Sequence, residues 1–278
     1  MNDLNLHKVD TGLSMLLVRG EQGLTPSYGK LYLKAFSEYV NDHISPRQAV
    51  DDIIEIFKNN NIGFHGRPKC LILGTGHGPH ENAILNQGFE LVGLDICLES
   101  LLVAKEKTKN DQGFASHVVA DMTYPLPFAS NYFDFLFSLG TSFGFSPDDT
   151  VNQGVFVQSK KVLKKNGYLV FDAVNINGIL PLKQKNSTFN LPGGLIRREE
   201  FDYDNSNNTS LTKITLVEQG RDSQSFHHFM KYYSLDQITR MLQVAGFKII
   251  STFGDLKGSP YNEFQSGSIV VIAQKQTL

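Results

Sequence analysis

Cys70-Leu-Ile-Leu-Gly-Thr-Gly-His-Gly-Pro-His80, followed at Val92-Gly-Leu-Asp95-Ile-Cys97 by a second apolar run that closes on an acid, decides the fold of this chain. The first run reads as a strand that turns through Gly74, Gly76 and Gly78 into a helix. Glycine lets the backbone turn sharply and approach a ligand where a Cβ would clash. Asp95 follows about twenty residues later, where a nucleotide-binding α/β unit sets a carboxylate to accept from both ribose hydroxyls. A glycine triplet alone is also an ordinary turn. The strand before it, the helix after it and the acid ending the next strand separate the two readings. The stretch therefore predicts an adenosine-containing ligand before it predicts a reaction.

Working outward, the alternation continues. Helices are predicted over about 81–86 and 98–107, and strands over 70–73, 90–95, 117–120, 132–139 and 168–174. The run 132–139 is nearly continuous in apolar residues, as in strands buried on both faces. Ser146-Pro147-Asp148-Asp149 caps a further helix, and Asn166-Gly167 stops it. This rhythm implies a parallel, doubly wound sheet with right-handed crossovers. Upstream, residues 1–27 carry no firm pattern. Tyr28-Gly-Lys-Leu-Tyr32 with Phe36 and Tyr39 predicts an aromatic-rich helix, and Ser45-Pro46-Arg47-Gln48 opens another. Downstream, 175–231 changes to short alternating runs, Leu195–Phe201 and Leu211–Glu218, between Asn/Ser/Asp-rich turns, which predicts antiparallel strands capping the ligand edge. Ser234-Leu-Asp-Gln237 is a capping box for a helix over 235–245, and strands at about 247–253 and 268–274 close the chain. The expected division is an N-terminal helical cap over 1–62 and an α/β domain over 63–278 that carries the insertion.

Composition bounds the function. The 278 residues are 41% hydrophobic with a formal charge of −2, enough for a core and without the basic surface that nucleic acid or an anionic membrane attracts. No window approaches the roughly 18 apolar residues that span a bilayer, and Leu13–Val18 is too short for a secretory core. The expected compartment is the cytoplasm. Cys70 and Cys97 fall at opposite ends of neighbouring strands, on the order of 10 Å or more apart, too far for a disulfide.

A third predicted strand ends at Asp121-Met122, so three strand ends in succession reach the carboxyl edge where open α/β sheets bind ligands. Here the chain resembles the class I S-adenosylmethionine-dependent methyltransferases of the small-molecule type. The resemblance rests on Leu73–Gly78, Gly93-Leu-Asp95-Ile-Cys97, Val119-Ala-Asp121-Met122, Pro125–Asp134, Val162–Val170 and Ala245-Gly-Phe247, and runs from about Tyr28 to the C-terminus. It implies a seven-stranded, mostly parallel sheet of order 3-2-1-4-5-7-6 with the last strand antiparallel. It also implies S-adenosyl-L-methionine as cofactor, with S-adenosyl-L-homocysteine as product. Gly74, Thr75, Gly76 and Gly78 would cradle the methionine portion. Asp95 would hold the ribose and Ile96 the adenine, joined by Asp121 and Met122. Leu139 would flank the sulfonium, and Tyr28 would close over the cofactor. One position departs from the pattern: the acid usual two residues before the first glycine is Ile72 here.

The implied reaction is transfer of the methyl group to O, N or C of a small organic acceptor by in-line displacement. Two alternatives stay open: a cofactor-binding protein with structural or non-methylating chemistry such as a cyclisation, motivated by Ile72, and an NAD-dependent oxidoreductase, disfavoured by Asp121. Positioning alone supplies ~7–11 kcal/mol in such reactions, and a general base adds roughly 10²–10⁴-fold. The candidate catalytic groups are His228, His77 and Tyr28. His80 flanks the same loop as His77, and packing is the competing explanation for both. His227 and His228 are neighbours on a strand, so only one faces the site. Glu199-Glu200 reads as a solvated strand end, and Lys231 as a partner for an anionic acceptor or for water. Phe143 and Phe145 line an acceptor pocket or the core. No metal is expected: the fourth strand ends Ser138-Leu-Gly140 without an acid, although Asp172 and Asn175 lie near the fifth, and His77 and His80 lack a third ligand. Ser138–Phe143 is not the signature of base-methylating enzymes, so no nucleic acid partner is expected, and a homodimer stays open.

Overall fold

The structure, a computed structural model, describes residues 7–8, 16–17, 29–43, 45–110 and 114–276. Tyr28 lies outside the described residues.

In chain order the elements are β1 (His7–Lys8), β2 (Leu16–Leu17), α1 (Lys30–His43), α2 (Pro46–Asn59), β3 (Lys69–Leu73), α3 (Glu81–Asn86), β4 (Glu90–Asp95), α4 (Leu98–Thr108), β5 (Ala115–Val119), β6 (Phe133–Ser138), α5 (Asp149–Val162) and β7 (Leu163–Val174). There follow α6 (Ile176–Ile179), β8 (Asn186–Leu191), β9 (Leu195–Asp204), β10 (Thr209–Val217), β11 (Gln224–Lys231), α7 (Leu235–Ala245), β12 (Phe247–Phe253) and β13 (Ser268–Lys275).

The main sheet runs β1-β2-β5-β4-β3-β6-β7-β13-β12. Counted from β3 and without the small sheet, this is the expected order 3-2-1-4-5-7-6, with β13 antiparallel to β7 and β12. The β1–β2 hairpin, which the sequence did not announce, extends the edge by pairing Leu17 with Val119. A second, four-stranded antiparallel sheet, β11-β10-β9-β8, fills the predicted insertion.

Local chemistry sets the ends of these elements. Ser234 and Gln237 form the predicted capping box, and Gly246 ends α7 in the left-handed region at φ 86°. For α5 the cap is Asp148 rather than Ser146: its carboxylate accepts from the Thr150 amide, while Ser146 Oγ accepts from the Asp148 amide. Cys97 is more than a buried thiol, since its sulfur caps α4 by accepting from the Ser100 amide. Both cysteines are free and buried.

Each face of the main sheet buries its own core. Leu71, Leu73, Leu136, Phe171 and Val271 pack on one side with residues of α5 and α7. Ile72, Phe137, Leu139, Val170 and Ile272 pack on the other, with Val50, Ile53 and Phe57 of α2 and Ile84 of α3. The two N-terminal helices part company. α2 covers the main sheet, whereas Ala35, Leu31, Tyr32 and Phe36 of α1 pack on Leu195, Ile214, Leu216 and Phe226 of the small sheet. Lys34 on α1 is paired with Glu218 at 2.8 Å across that contact.

Candidate active site

The carboxyl edge of β3, β4 and β5 is stitched together by backbone bonds. The Thr75 amide donates to Leu94 O, and the Ala120 amide donates to Asp95 O, both at 3.0 Å. The glycine loop, Asp95 and Asp121 therefore meet at one edge. Asp95 is half-buried and holds the loop directly: Oδ2 accepts from the Gly76 amide and Oδ1 from the Cys97 amide, each at 2.8 Å. Burial pushes its pKa up, against the pull of those amides. A carboxylate offers about four lone-pair sites, and the Gly76, Cys97 and Ile96 amides do not fill them all.

The glycines have different jobs. All have positive φ: 65° at Gly74, 57° at Gly76 and 71° at Gly78. A Cβ at Gly74 would lie 2.6 Å from Ser142 Cβ, and one at Gly78 2.9 Å from Ala104 Cβ, so packing also demands glycine there. A Cβ at Gly76 would meet nothing within 4 Å. Gly76 thus borders open space beside the Asp95 carboxylate. Met122 and Ile96 are half-buried, and Met122 Cε would stand 3.8 Å from a Gly74 Cβ. Asp121 Oδ1 accepts from the Thr123 amide and hydroxyl, closing a turn after β5.

Thr75 brings in a network that the sequence reading missed. Its hydroxyl donates to Glu81 Oε1 at 2.6 Å, and Glu81 Oε2 lies 2.9 Å from His117 Nε2. Glu81 is 0% exposed. The carboxylate sits beneath the loop, partnered on both oxygens, and ties α3 and β5 to it. At the usual acid position, Ile72 is 2% exposed and packs with Phe137 and Val170. Leu139 lies in the same cluster, so its side chain belongs to the core.

His77, His80 and His228 are neutral at neutral pH. Burial lowers His77 and His80 to about 4, and both leave a buried Nε2 without a hydrogen-bond partner among the described residues. His228 is also lowered to about 4, by burial first and by Arg197 and Lys183 second. Its ring stands 6.0 Å from Tyr32, 5.7 Å from Phe36 and 5.9 Å from Phe145, between α1, the small sheet and the loop after β6. His227 points to solvent. One sequence expectation is corrected. Glu199 is not solvated but buried, paired with the buried Arg197 and 3.7 Å from Lys183. Phe143 is core, against Phe156, Phe171 and Tyr233. Lys231 is held 2.7 Å from Asp149 and donates to Pro147 O. Among the described residues, no group of three or more His, Cys, Asp or Glu stands ready for a metal ion.

Fold and edge define a nucleotide-cofactor α/β protein whose ligand edge carries a glycine loop and strand-end acids. The family model described as a methyltransferase domain matches residues 71–171, the stretch from β3 into β7. Along the whole chain, the glycine/sarcosine N-methyltransferase of Aphanothece halophytica is 24% identical over 270 residues, 96% of each chain. That of Halorhodospira halochloris is 22% identical over 269 residues, again 96% of each. Among solved structures, an S-adenosylmethionine-dependent methyltransferase from Clostridium acetobutylicum superposes with a TM-score of 0.75 at 16% identity, covering 89% of this chain and 98% of that one. Residues 71–171 thus carry a methyltransferase domain, and the chain is a methyltransferase. Its cofactor is S-adenosylmethionine, and the edge fits it: a glycine cradle open at Gly76 and an acid with lone pairs to spare at Asp95. Among the described residues, no helix is long and apolar enough to cross a membrane.

Proposed function

We propose that this methyltransferase acts on a small organic acceptor and that the acceptor atom is an amine nitrogen. The observation that carries the small-molecule reading is the cap. β11 and α1 bring His228 against Tyr32 and Phe36, and the same ring meets Phe145, which follows the β6 strand end. Aromatic side chains gathered near the ligand edge suit a small ligand. The choice of nitrogen is supported by the glycine/sarcosine N-methyltransferases that match end to end.

When bound, S-adenosylmethionine supplies a methyl group on a positively charged sulfur, a leaving group that needs no protonation. The chain's own residues hold and align. Gly74, Thr75, Gly76 and Gly78 are proposed to cradle the methionine portion. Asp95 takes the ribose hydroxyls, with Ile96, Asp121 and Met122 about the adenine, and Tyr28 closes the entrance. The backbone at Leu139 borders the methyl group. His228, lowered to about 4, is too weak a base to deprotonate an ammonium, so its proposed role is to line the acceptor wall. His77 is proposed as support for the loop. Of the N-terminal segment expected over 1–62, α1 is proposed to act with the insertion at 175–231 as a cap on the domain of 63–278. Two buried free thiols fit the cytoplasm as the working compartment.

The test is transfer of labelled methyl from S-adenosylmethionine to a panel of glycine, sarcosine, an amino sugar, a phenol and a carboxylic acid. Product from an amine alone supports the reading. Product only from the phenol or the acid overturns the choice of nitrogen.

A further inference from the structure

Asp172 is a buried acid at the carboxyl edge that the cofactor-facing residues leave unused. It is 5% exposed. Sheet register places it: Ile72 pairs with Phe137, and Phe137 with Val170. Two residues further along each strand lie Gly74, Leu139 and Asp172, at one level of the edge. Alternation puts Asp172 on the strand face of Val170, the face of Ile72. A single loop joins it to the glycine cradle. The Thr141 amide donates to Asp172 Oδ1 at 3.3 Å, and the next residue, Ser142, donates its hydroxyl to Gly74 O at 3.2 Å. Consecutive Cα atoms are about 3.8 Å apart, so Asp172 and the glycine loop meet the same two neighbouring residues at the ligand edge.

The loop is built for this contact. Gly140 and Thr141 both have positive φ, 76° and 61°. For a β-branched residue that is a strained conformation, of the kind that persists where the surroundings impose it. It turns the Thr141 amide onto the carboxyl. Gly140 is exposed and Thr141 half-buried, so the backbone that covers the acid lies at the open edge.

What Asp172 lacks is a cation. It enters no ion pair among the described residues. On the flanking strands, the nearest charged side chains in sequence sit at the far ends. Asp134 on β6 is paired with Lys164, and Lys275 on β13 donates to Leu163 O and Asn131. On the sheet face, Val170 meets apolar residues of α2 and α3. Burial raises the carboxyl to about 7, opposed only by backbone amides, those of Thr141 and Gly140 foremost. A buried acid with no counter-charge at a ligand edge is a receptor for a cation.

We propose that Asp172 binds the ammonium group of the amine acceptor and takes its proton, an assignment that rests on the amine reading above and supplies its base. The carboxylate accepts one proton from R–NH3+, leaving R–NH2 with a free electron pair and Asp172 as the neutral acid. The nitrogen pair forms the bond to the methyl carbon as the carbon–sulfur bond breaks, and the electrons of that bond stay on sulfur. The product leaves as R–NH2–CH3+, and Asp172 returns its proton to solvent.

The test reads the carboxyl itself before any turnover. Infrared difference spectra of the full chain between about pH 5 and pH 9, with and without methylammonium chloride, follow the protonated-acid band. Asp172→Asn identifies the band by deleting it, and Asp172→Glu identifies it by shifting it if the first variant folds poorly. The expected result is a band that titrates near 7 and moves to lower pH when methylammonium is added. Absence of that band, or a titration that methylammonium leaves unmoved, overturns the proposal. With an amine acceptor from the panel, Asp172→Asn is expected to lower kcat roughly 10²–10⁴-fold and to flatten the acidic limb of the rate profile, with Asp172→Glu partly restoring both. An unchanged kcat and profile on an amine sinks the base while sparing the amine reading. Transfer only to the phenol or the carboxylic acid sinks that reading and the base with it.

Discussion

The Asp95 carboxylate is bonded to the Gly76 amide across 2.8 Å, so the acid expected to hold the ribose also shapes the cradle. Asp95→Ala removes this bond and the one to Cys97. Charge-assisted hydrogen bonds are worth ~1.5–3 kcal/mol each. We expect weaker binding of S-adenosylmethionine and S-adenosylhomocysteine by at least tenfold, and a lower unfolding midpoint without any ligand. Calorimetric titration gives the first and thermal unfolding the second. Unchanged affinity removes Asp95 from the site.

Gly76 and Gly74 separate ligand space from packing. Gly76→Ala places a methyl in the open at φ 57°, so the fold loses only the strain of a left-handed alanine, about 1 kcal/mol. Cofactor affinity falls by more than stability does. Gly74→Ala drives a methyl into Ser142, and stability falls by roughly 2–4 kcal/mol as the loop after β6 is displaced. Paired denaturant curves and titrations check the contrast. Equal stability losses would mean that Gly76 is held by packing as well.

Ile72 makes a sharper case than the sequence allowed. Read alone, an acid restored at this position promises either tighter cofactor binding or an unfolded chain. At 2% exposure among Phe137, Val170 and Ile272, a carboxylate has no partner. An unpaired buried charge costs on the order of 3 kcal/mol or more. Ile72→Asp is expected to destabilise, with a fall in the denaturant midpoint and no gain in affinity. A well-folded variant that binds S-adenosylmethionine more tightly would show that the edge opens enough to solvate the acid.

Local patterns were readable in this chain, and partners remote in sequence were not. The β-α-β alternation, the glycine loop, the cap of α7 and the ends of β4 and α3 follow from near neighbours, and the structure keeps them, except that α5 ends at Val162 and β7 already begins at Leu163, so the Asn166-Gly167 expected to stop the helix lies inside the strand. Glu81 reads as an ordinary first-turn acid until His117 is brought to it across 36 residues. Asp172 sits inside the apolar run Tyr168–Val174, where an acid looks like an interruption. Its place beside the cradle needs the register of β3, β6 and β7 together. Glu199 looks solvated because charged neighbours flank it, yet strand alternation turns it inward to Arg197. The aromatic helix α1 was expected as part of one N-terminal segment. Its apolar side instead meets a sheet formed more than a hundred residues later.

The buried titratable groups set opposing slopes on stability against pH. His77, His80 and His228 have folded pKa values near 4 against an ordinary 6.5. The unfolded chain binds more protons between those values, so their contribution is complete above about 6.5 and is lost as pH falls towards 4. Asp172 runs the other way: raised from 3.8 to about 7, its contribution is full below 3.8 and is lost as pH rises to 7. Three groups outweigh one, and the ligand-free protein is expected to gain stability from about pH 4 to pH 6.5. Between about pH 6.5 and pH 7 the remaining slope belongs to Asp172 and is negative. Asp172→Asn removes that penalty, so it is expected to stabilise the ligand-free protein by roughly 2–4 kcal/mol at pH 8 relative to its effect at pH 4. Denaturant midpoints of both proteins at the two pH values decide it. A difference between them that does not change with pH would mean that Asp172 titrates alike in the folded and unfolded chains, which would sink the raised carboxyl and the acceptor base with it.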